Sequence, residues 1–208
     1  MDQCSPEWFA ARLGKVTASR VCDVIARIKS GPSASRANYM AQLIAERLTG
    51  CPAESFSNAA MQWGTDKEPE ARTAYEFRVD LDVEQVGFVD HPTVPMTGAS
   101  PDGLVGADGL VEIKCPNVAT HIDTLIAGKI PEKHLTQIAW QMACTGRAWC
   151  DFVSYDPRLP EDMRLFVRRV HRDDTRIAEI EAEVRAFLAE LDAKLSALRE
   201  AVALPRAA

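Results

Sequence analysis

"TGASPDGLVGADGLVEIKCP", residues 97–116, sets two carboxylates and a lysine into a stretch that otherwise holds apolar residues and glycine turns. The runs GLV (103–105) and LVEIK (110–114) read as two short strands joined by a glycine-bounded turn, a β-hairpin. An unpaired charge on the buried face of a hairpin costs several kcal/mol or gives up its charge. Asp102, Glu112 and Lys114 therefore need partners, on this chain or outside it.

Side chains alternate faces along a strand, so the register decides whether the three charges meet. A two-residue loop at Ala107 and Asp108 leaves Asp102 facing away from Glu112. A three-residue loop, Ala107-Asp108-Gly109, puts glycine at the left-handed position such loops favour. It pairs Leu104 with Glu112 and Asp102 with Lys114, and all three charges then share a face. We expect this register, with Val111 and Ile113 turned to the core and Leu104 misplaced on the charged side.

Two convergent carboxylates suit Mg²⁺ or Mn²⁺, hard ions that prefer oxygen and keep several waters for a phosphate substrate. A lysine beside them can orient an attacking water, help deprotonate it, or stabilise charge developing on phosphate. The chemistry these residue types imply is metal-assisted phosphodiester hydrolysis. The string acid-x-lysine is common, and alone it does not fix a function.

Outward from the hairpin the chain alternates helical and extended patterns. "SPEWFAARLG" (5–14) has Ser-Pro at a helix start and glycine at its end. "TASRVCDVIARI" (17–28) predicts a second helix, with Thr17 or Ser19 as its cap and Val21, Val24, Ile25 and Ile28 at helical spacing. Tyr39, Leu43, Ile44 and Leu48 mark a third that ends at Gly50, followed by a loop over 51–58. "MQWGTDKEPEARTAYEFR" (61–78) is helical in composition, and Gly64 and Pro69 predict a break, with Pro69 opening a new helix. Short β-type runs fill 83–114, "KHLTQIAWQMACTG" (133–146) is a helix, and two strands follow at 148–156 and 163–170. Ile177, Ile180, Val184, Phe187, Leu188, Leu191, Leu195 and Leu198 then trace one amphipathic helix, and only the last few residues look loose. The order implies an α/β (α+β) domain: a central mixed sheet flanked by helices, with a core over about 5–172 and a C-terminal helix over about 173–200 within a single domain of 1–208.

With 30 acidic against 24 basic side chains the net charge is −6, which argues against a protein that merely coats nucleic acid. The distribution is uneven. Residues 12–36 carry Arg12, Lys15, Arg20, Arg27, Lys29 and Arg36 against Asp23 alone, a segment suited to phosphates. A further basic run holds Arg164, Arg168, Arg169 and Arg172, and acids dominate 54–90. The six cysteines form no CxxC pair, and no apolar run reaches the length of a signal peptide or membrane span, which is the pattern of a reduced, cytoplasmic, soluble protein. The four histidines are scattered singly and receive no role.

"SPDG" followed by "EIKCP" resembles the PD-(D/E)xK nuclease core, and specifically the lambda-exonuclease, or YqaJ-type viral recombinase, family. "EWFAARLGKVTASRV" is similar to that family's N-terminal segment, "WGTDKEPEARTAYE" to its acidic helix, and "HLTQIAWQMACTG" to its glutamine-bearing helix, with "VSYDP" following. The resemblance spans about residues 5–157 with its motifs in order. It implies a restriction-endonuclease-like fold in which Asp102 and Glu112 bind metal, with Glu68 and the Ile113 backbone carbonyl in support, and Lys114 is the catalytic lysine. Gln137 or Gln141, four apart on one helix face, would line the site; we place Gln137 in the catalytic group and Gln141 toward DNA. Glu70 reads as a solvated helix acid.

Arg12 and Ser19 match the family's 5'-phosphate-binding positions, and a helix starting near Thr17 would add backbone N–H groups and hydroxyls to the Arg12 guanidinium. The resemblance further implies a Mg²⁺-dependent (or Mn²⁺-dependent) 5'-to-3' exonuclease acting on double-stranded DNA ends and leaving 3' overhangs. A trimeric ring as homo-oligomer, a single-strand annealing protein as partner, a phage-infected or prophage-bearing cell as setting, no membrane and no iron-sulfur cluster complete what it implies. Two other readings share these residues: a restriction-like or CRISPR-associated endonuclease, and a nuclease-inactive DNA-end-binding accessory.

Overall fold

The computed structural model describes residues 2–29, 31–53 and 59–203. Most of the expected loop after Gly50 and the expected loose end from 204 lie outside that set.

Ser5 caps α1 (Pro6–Arg12), its side chain accepting from the Trp8 N–H, and the chain turns at Gly14 with φ +67°. β1 (Val16–Thr17) leads into a 3-10 turn (Ala18–Arg20) and then α2, which runs only from Val21 to Ile25. The expected single helix over 17–28 therefore does not form. Thr17 makes no capping bond, and Arg27–Ile28 pairs instead as β2 with β3 (Gly31–Pro32), leaving Ile28 exposed.

α3 (Ala34–Thr49) is capped by Ser33 and ends on left-handed Gly50. α4 (Ala59–Val79) is one continuous helix with Pro69 inside it, not the two pieces expected. An interior proline costs about 3 kcal/mol. Fully buried Ala71 and Tyr75, which pack with Val111, Ile113 and Val153, offset it: burying one large apolar side chain is worth about 1.5–3 kcal/mol.

β4 (Val83–Glu84), β5 (Val89–Asp90), β6 (Thr97–Ala99), β7 (Gly103–Val105) and β8 (Gly109–Lys114) follow. α5 (Val118–Ala127) comes next, unforeseen in the sequence; Asn117 caps it and Gly128 ends it. α6 (Glu132–Thr145), β9 (Trp149–Tyr155), β10 (Leu165–His171) and α7 (Asp174–Ala203) complete the order. The central sheet runs β10-β9-β8-β7-β4, mixed because β8 and β9 are parallel while its other neighbours are antiparallel. A smaller sheet, β1-β6-β5, carries the N-terminal segment alongside.

Two apolar layers cover the central sheet. Leu110 and Phe152 face α6 and α7, whereas Val105, Val111, Ile113 and Val153 face α4. The α7 stripe from Ile177 to Leu195 is buried as its spacing predicts. Among the described residues no helix is long and apolar enough to cross a membrane.

Candidate active site

The hairpin brings the three charges to one face, in a register shifted from the one expected. Val105 pairs with Gly109, Leu104 with Leu110 and Gly103 with Val111, so the three-residue loop is Gly106-Ala107-Asp108. Continuing the ladder sets Asp102 opposite Glu112 itself. Gly106 supplies the left-handed residue, with φ +53°. Gly109 is glycine for a different reason: a Cβ there would overlap the Trp149 indole. Leu104, opposite Leu110, packs on the main core instead of intruding on the charges.

Glu112 is fully buried, and both its carboxylate oxygens accept hydrogen bonds. Gln137 Nε2 donates to Oε1 at 2.6 Å and Gln141 Nε2 to Oε2 at 2.6 Å, while Lys114 Nζ pairs with Oε1. Both glutamines of α6 thus hold one acid. Gln141, placed toward DNA in the sequence reading, has no exposed surface and cannot reach a duplex.

Asp102 Oδ2 accepts from the Ile113 N–H at 2.6 Å. Burial, and then the charge of Glu112, push the Asp102 carboxyl well above the ordinary aspartate range. Burial works against the Lys114 ammonium, but Glu112 and Asp102 outweigh it and raise its pKa.

Glu68, on α4, adds its charge to the fields at Asp102 and Lys114, yet its Oε1 accepts from Arg72 Nη2 at 2.6 Å. Among the described residues no three His, Cys, Asp or Glu side chains gather closely enough to hold an ion by themselves, so the expected trio of acids is not assembled. Two carboxylates on one face nevertheless fit a hard divalent ion, which takes oxygen ligands and retains waters. Cys115 is a packed residue whose thiol burial pushes up to about 12. Glu70 is not merely solvated: it accepts from Lys67 and, at 2.8 Å, from the Tyr155 hydroxyl.

The N-terminal segment reaches the same hairpin through Ser100, two residues before Asp102. Arg12 Nη1 and Trp8 Nε1 both donate to Ser100 Oγ, at 3.1 and 2.9 Å, and the guanidinium stacks 3.9 Å from the Trp8 ring. Burial lowers the Arg12 pKa. Glu46 and Arg47 of α3 fix the turn behind it by accepting from Gly14 N–H and donating to Gly14 O. Ser19 is exposed, with its hydroxyl 3.4 Å from that of buried Thr17. α2 is only five residues long, so the expected helix start near Thr17 is instead a 3-10 turn (Ala18–Arg20) with Thr17 at its head.

Most of the basic segment serves the fold. Lys15 pairs with Asp90, Arg20 with Asp23, Arg27 with Glu183 and Arg36 with Glu190. Sequence reading did not find Trp8 and Ser100 as partners of Arg12, although both flank recognised motifs. It also assigned nothing to the histidines. His121 is buried between Ser154 Oγ and Met163 O, and His134 lies beside the charged face, where burial and then Lys114 push its pKa down to about 3.

The YqaJ-like viral recombinase domain matches residues 7–148 of this chain. The crystal structure of LHK-Exo in complex with dAMP is 58% identical over 96% of this chain and 98% of its own, with a TM-score of 0.91. That of an alkaline exonuclease (LHK-Exo) from Laribacter hongkongensis is 57% identical over the same shares, with a TM-score of 0.90. A phage related exonuclease from Haemophilus somnus 129PT is 16% identical over 88% of this chain and 96% of its own, with a TM-score of 0.70, a likeness of fold. No curated protein matches.

Proposed function

We propose, because the chain belongs to the YqaJ-like viral recombinase family, that its hairpin face is the active site of a DNA exonuclease that requires a divalent metal, works 5' to 3' on linear duplex and leaves 3' overhangs. The observation that carries this reading is the placement of Asp102 opposite Glu112, with Lys114 paired to Glu112 on the same face.

Asp102, Glu112 and the Ile113 carbonyl would hold the ion, Mg²⁺ or Mn²⁺, with Glu68 acting through an intervening water. When bound, such an ion activates water and neutralises charge on phosphate. Lys114, paired with Glu112, would serve as a hydrogen-bond donor to the attacking water or the phosphate oxygens. Gln137 holds the Glu112 carboxylate at Oε1. The water oxygen bonds to phosphorus, the P–O3' bond breaks, and a 5'-mononucleotide leaves with its 3'-hydroxyl regenerated. The shortened strand keeps a 5'-phosphate, which Arg12, Thr17 and Ser19 receive for the next cycle. LHK-Exo has been crystallised with dAMP, a mononucleotide of the kind this reaction releases.

The chain acts as one nuclease domain over 1–208, assembles into a ring of identical copies around the duplex, and hands its 3' overhang to a single-strand annealing protein. Its setting is the cytoplasm of a phage-infected or prophage-bearing bacterium. End-labelled linear duplex, with 5'-phosphate or 5'-hydroxyl, is incubated with the protein in Mg²⁺ or EDTA. Mononucleotides from the 5'-phosphorylated strand in Mg²⁺ alone, with covalently closed circles left whole, are expected. Cleavage of closed circles, or product in EDTA, overturns the reading, and light scattering in solution tests the ring.

A further inference from the structure

Gln141 is a polar side chain in a place where the core would take an apolar one. It is fully buried on α6 among Ile138, Trp140, Met142 and Cys144. Its Nε2 donates to Glu112 Oε2 at 2.6 Å, while its Oε1 meets no donor among the described residues. A buried amide with an unmet carbonyl costs about 1–3 kcal/mol, and the bond from its N–H to the buried Glu112 carboxylate is what offsets that cost.

The two oxygens of Glu112 are not held alike. Among the described residues Oε1 has two donors, Gln137 and Lys114, whereas Oε2 has one, Gln141. The last torsion of a glutamate is broad and roughly two-fold, so a carboxylate gripped at one oxygen still rotates about its terminal bond. Gripped at both, its plane is fixed. Gln137 and Gln141 lie four residues apart on one face of α6, so a single rigid element sets both donors.

We propose that Gln141 is a positioning residue that fixes the plane of the Glu112 carboxylate, and through it the direction in which that acid presents its lone pairs to a divalent ion. This rests on the metal-dependent nuclease reading. Gln137 holds the other oxygen, Oε1, which it shares with Lys114, whereas Gln141 has no exposed surface.

The test substitutes Gln141→Met, close in shape but without a donor, with Gln141→Leu as a second variant filling the same space. On 5'-phosphorylated duplex, kcat is expected to fall about 10–100-fold, the effect typical of losing an outer partner of a metal ligand, with KM for ends unchanged. The Mg²⁺ concentration for half-maximal rate should rise. The metal-free melting temperature should fall modestly, because Glu112 Oε2 loses its donor while Gln137 and Lys114 stay on Oε1, and the further rise produced by added Mg²⁺ or Ca²⁺ should shrink. Folded variants with wild-type kcat and a wild-type Mg²⁺-induced shift overturn the proposal, as does a loss of rate that leaves both the Mg²⁺ requirement and the Mg²⁺-induced shift at their wild-type values. If the wild-type protein hydrolyses no DNA, the nuclease reading falls, and the cation-induced shifts still decide the part played by Gln141.

Discussion

Strands β8 and β9 carry two buried acids on opposite faces of one sheet, Glu112 toward α6 and Asp151 toward α4, and the two are satisfied in opposite ways. Asp151 receives both arms of Arg169 at 2.8 Å and the Tyr75 hydroxyl at 2.9 Å, and the guanidinium lies 3.6 Å from the Trp149 ring. A bidentate guanidinium and a phenol leave such a carboxylate little capacity for anything else. Glu112 instead has two neutral amides and one lysine. Two of its three donors are neutral and orient the carboxylate without cancelling its charge, and its one cation is a single-point lysine in place of a bidentate guanidinium. Partner type, more than depth of burial, separates the acid that holds the fold from the acid available for chemistry.

The largest test removes charge from the α6 face. Glu112→Gln and Lys114→Met should each lower hydrolysis about 10³-fold while circular dichroism melts remain cooperative. Retained turnover in either variant breaks the comparison. On the other face, Arg169→Ala strands Asp151 in the sheet. Breaking a buried pair costs about 3–5 kcal/mol, and the 43% exposure of Arg169 places the expected loss near the lower end, read by urea unfolding. Activity per folded molecule should be unchanged; if it collapses, the two faces are not separable.

A third test moves from the acids to two stacked arginines. Arg169 lies over Trp149 with a carboxylate to hold, whereas Arg12 lies over Trp8 with, among the described residues, only the Ser100 hydroxyl as its hydrogen-bond partner. Arg12→Ala should leave stability nearly unaltered and reduce the preference for 5'-phosphorylated over 5'-hydroxyl ends by about tenfold, the equivalent of one charge-assisted bond. Equal loss on both ends would assign Arg12 to the fold.

The smallest effect is on stability against pH. The Asp102 carboxyl has a raised pKa, so its contribution is fully present below the ordinary aspartate value and is lost as pH rises through the elevated one. Metal-free protein should therefore lose some stability toward alkaline pH, and Asp102→Asn should remove that loss while abolishing activity. Melting curves in EDTA across the pH range check it. A variant whose melting temperature falls in parallel with wild type would show that Asp102 does not carry the effect.

How far the sequence disclosed this arrangement differed between neighbouring residues. The shared face of Asp102, Glu112 and Lys114 was legible because a two-residue change of register preserves which side chains lie together. The register itself was not, since the glycine of residue 109 answers to an indole forty positions later and not to its own dihedral angles. α5 escaped notice because its polarity is inverted: it buries His121 and Thr124 and exposes Ile122 and Ile126. The basic run of residues 12–36 looked like a phosphate surface because Glu183 and Glu190, which take Arg27 and Arg36, are about 150 residues distant. α7, whose buried stripe is local and periodic, was read almost to its ends.

The contact between Gly109 and Trp149 also has a hereditary side. Any lineage that gains a side chain at 109 must shrink the one at 149 or let the hairpin slip, and a slip moves Asp102 off Glu112. These two positions, neither bearing a charge, should drift as a pair, and the spelling of one should foretell the other in descendants that still cut DNA.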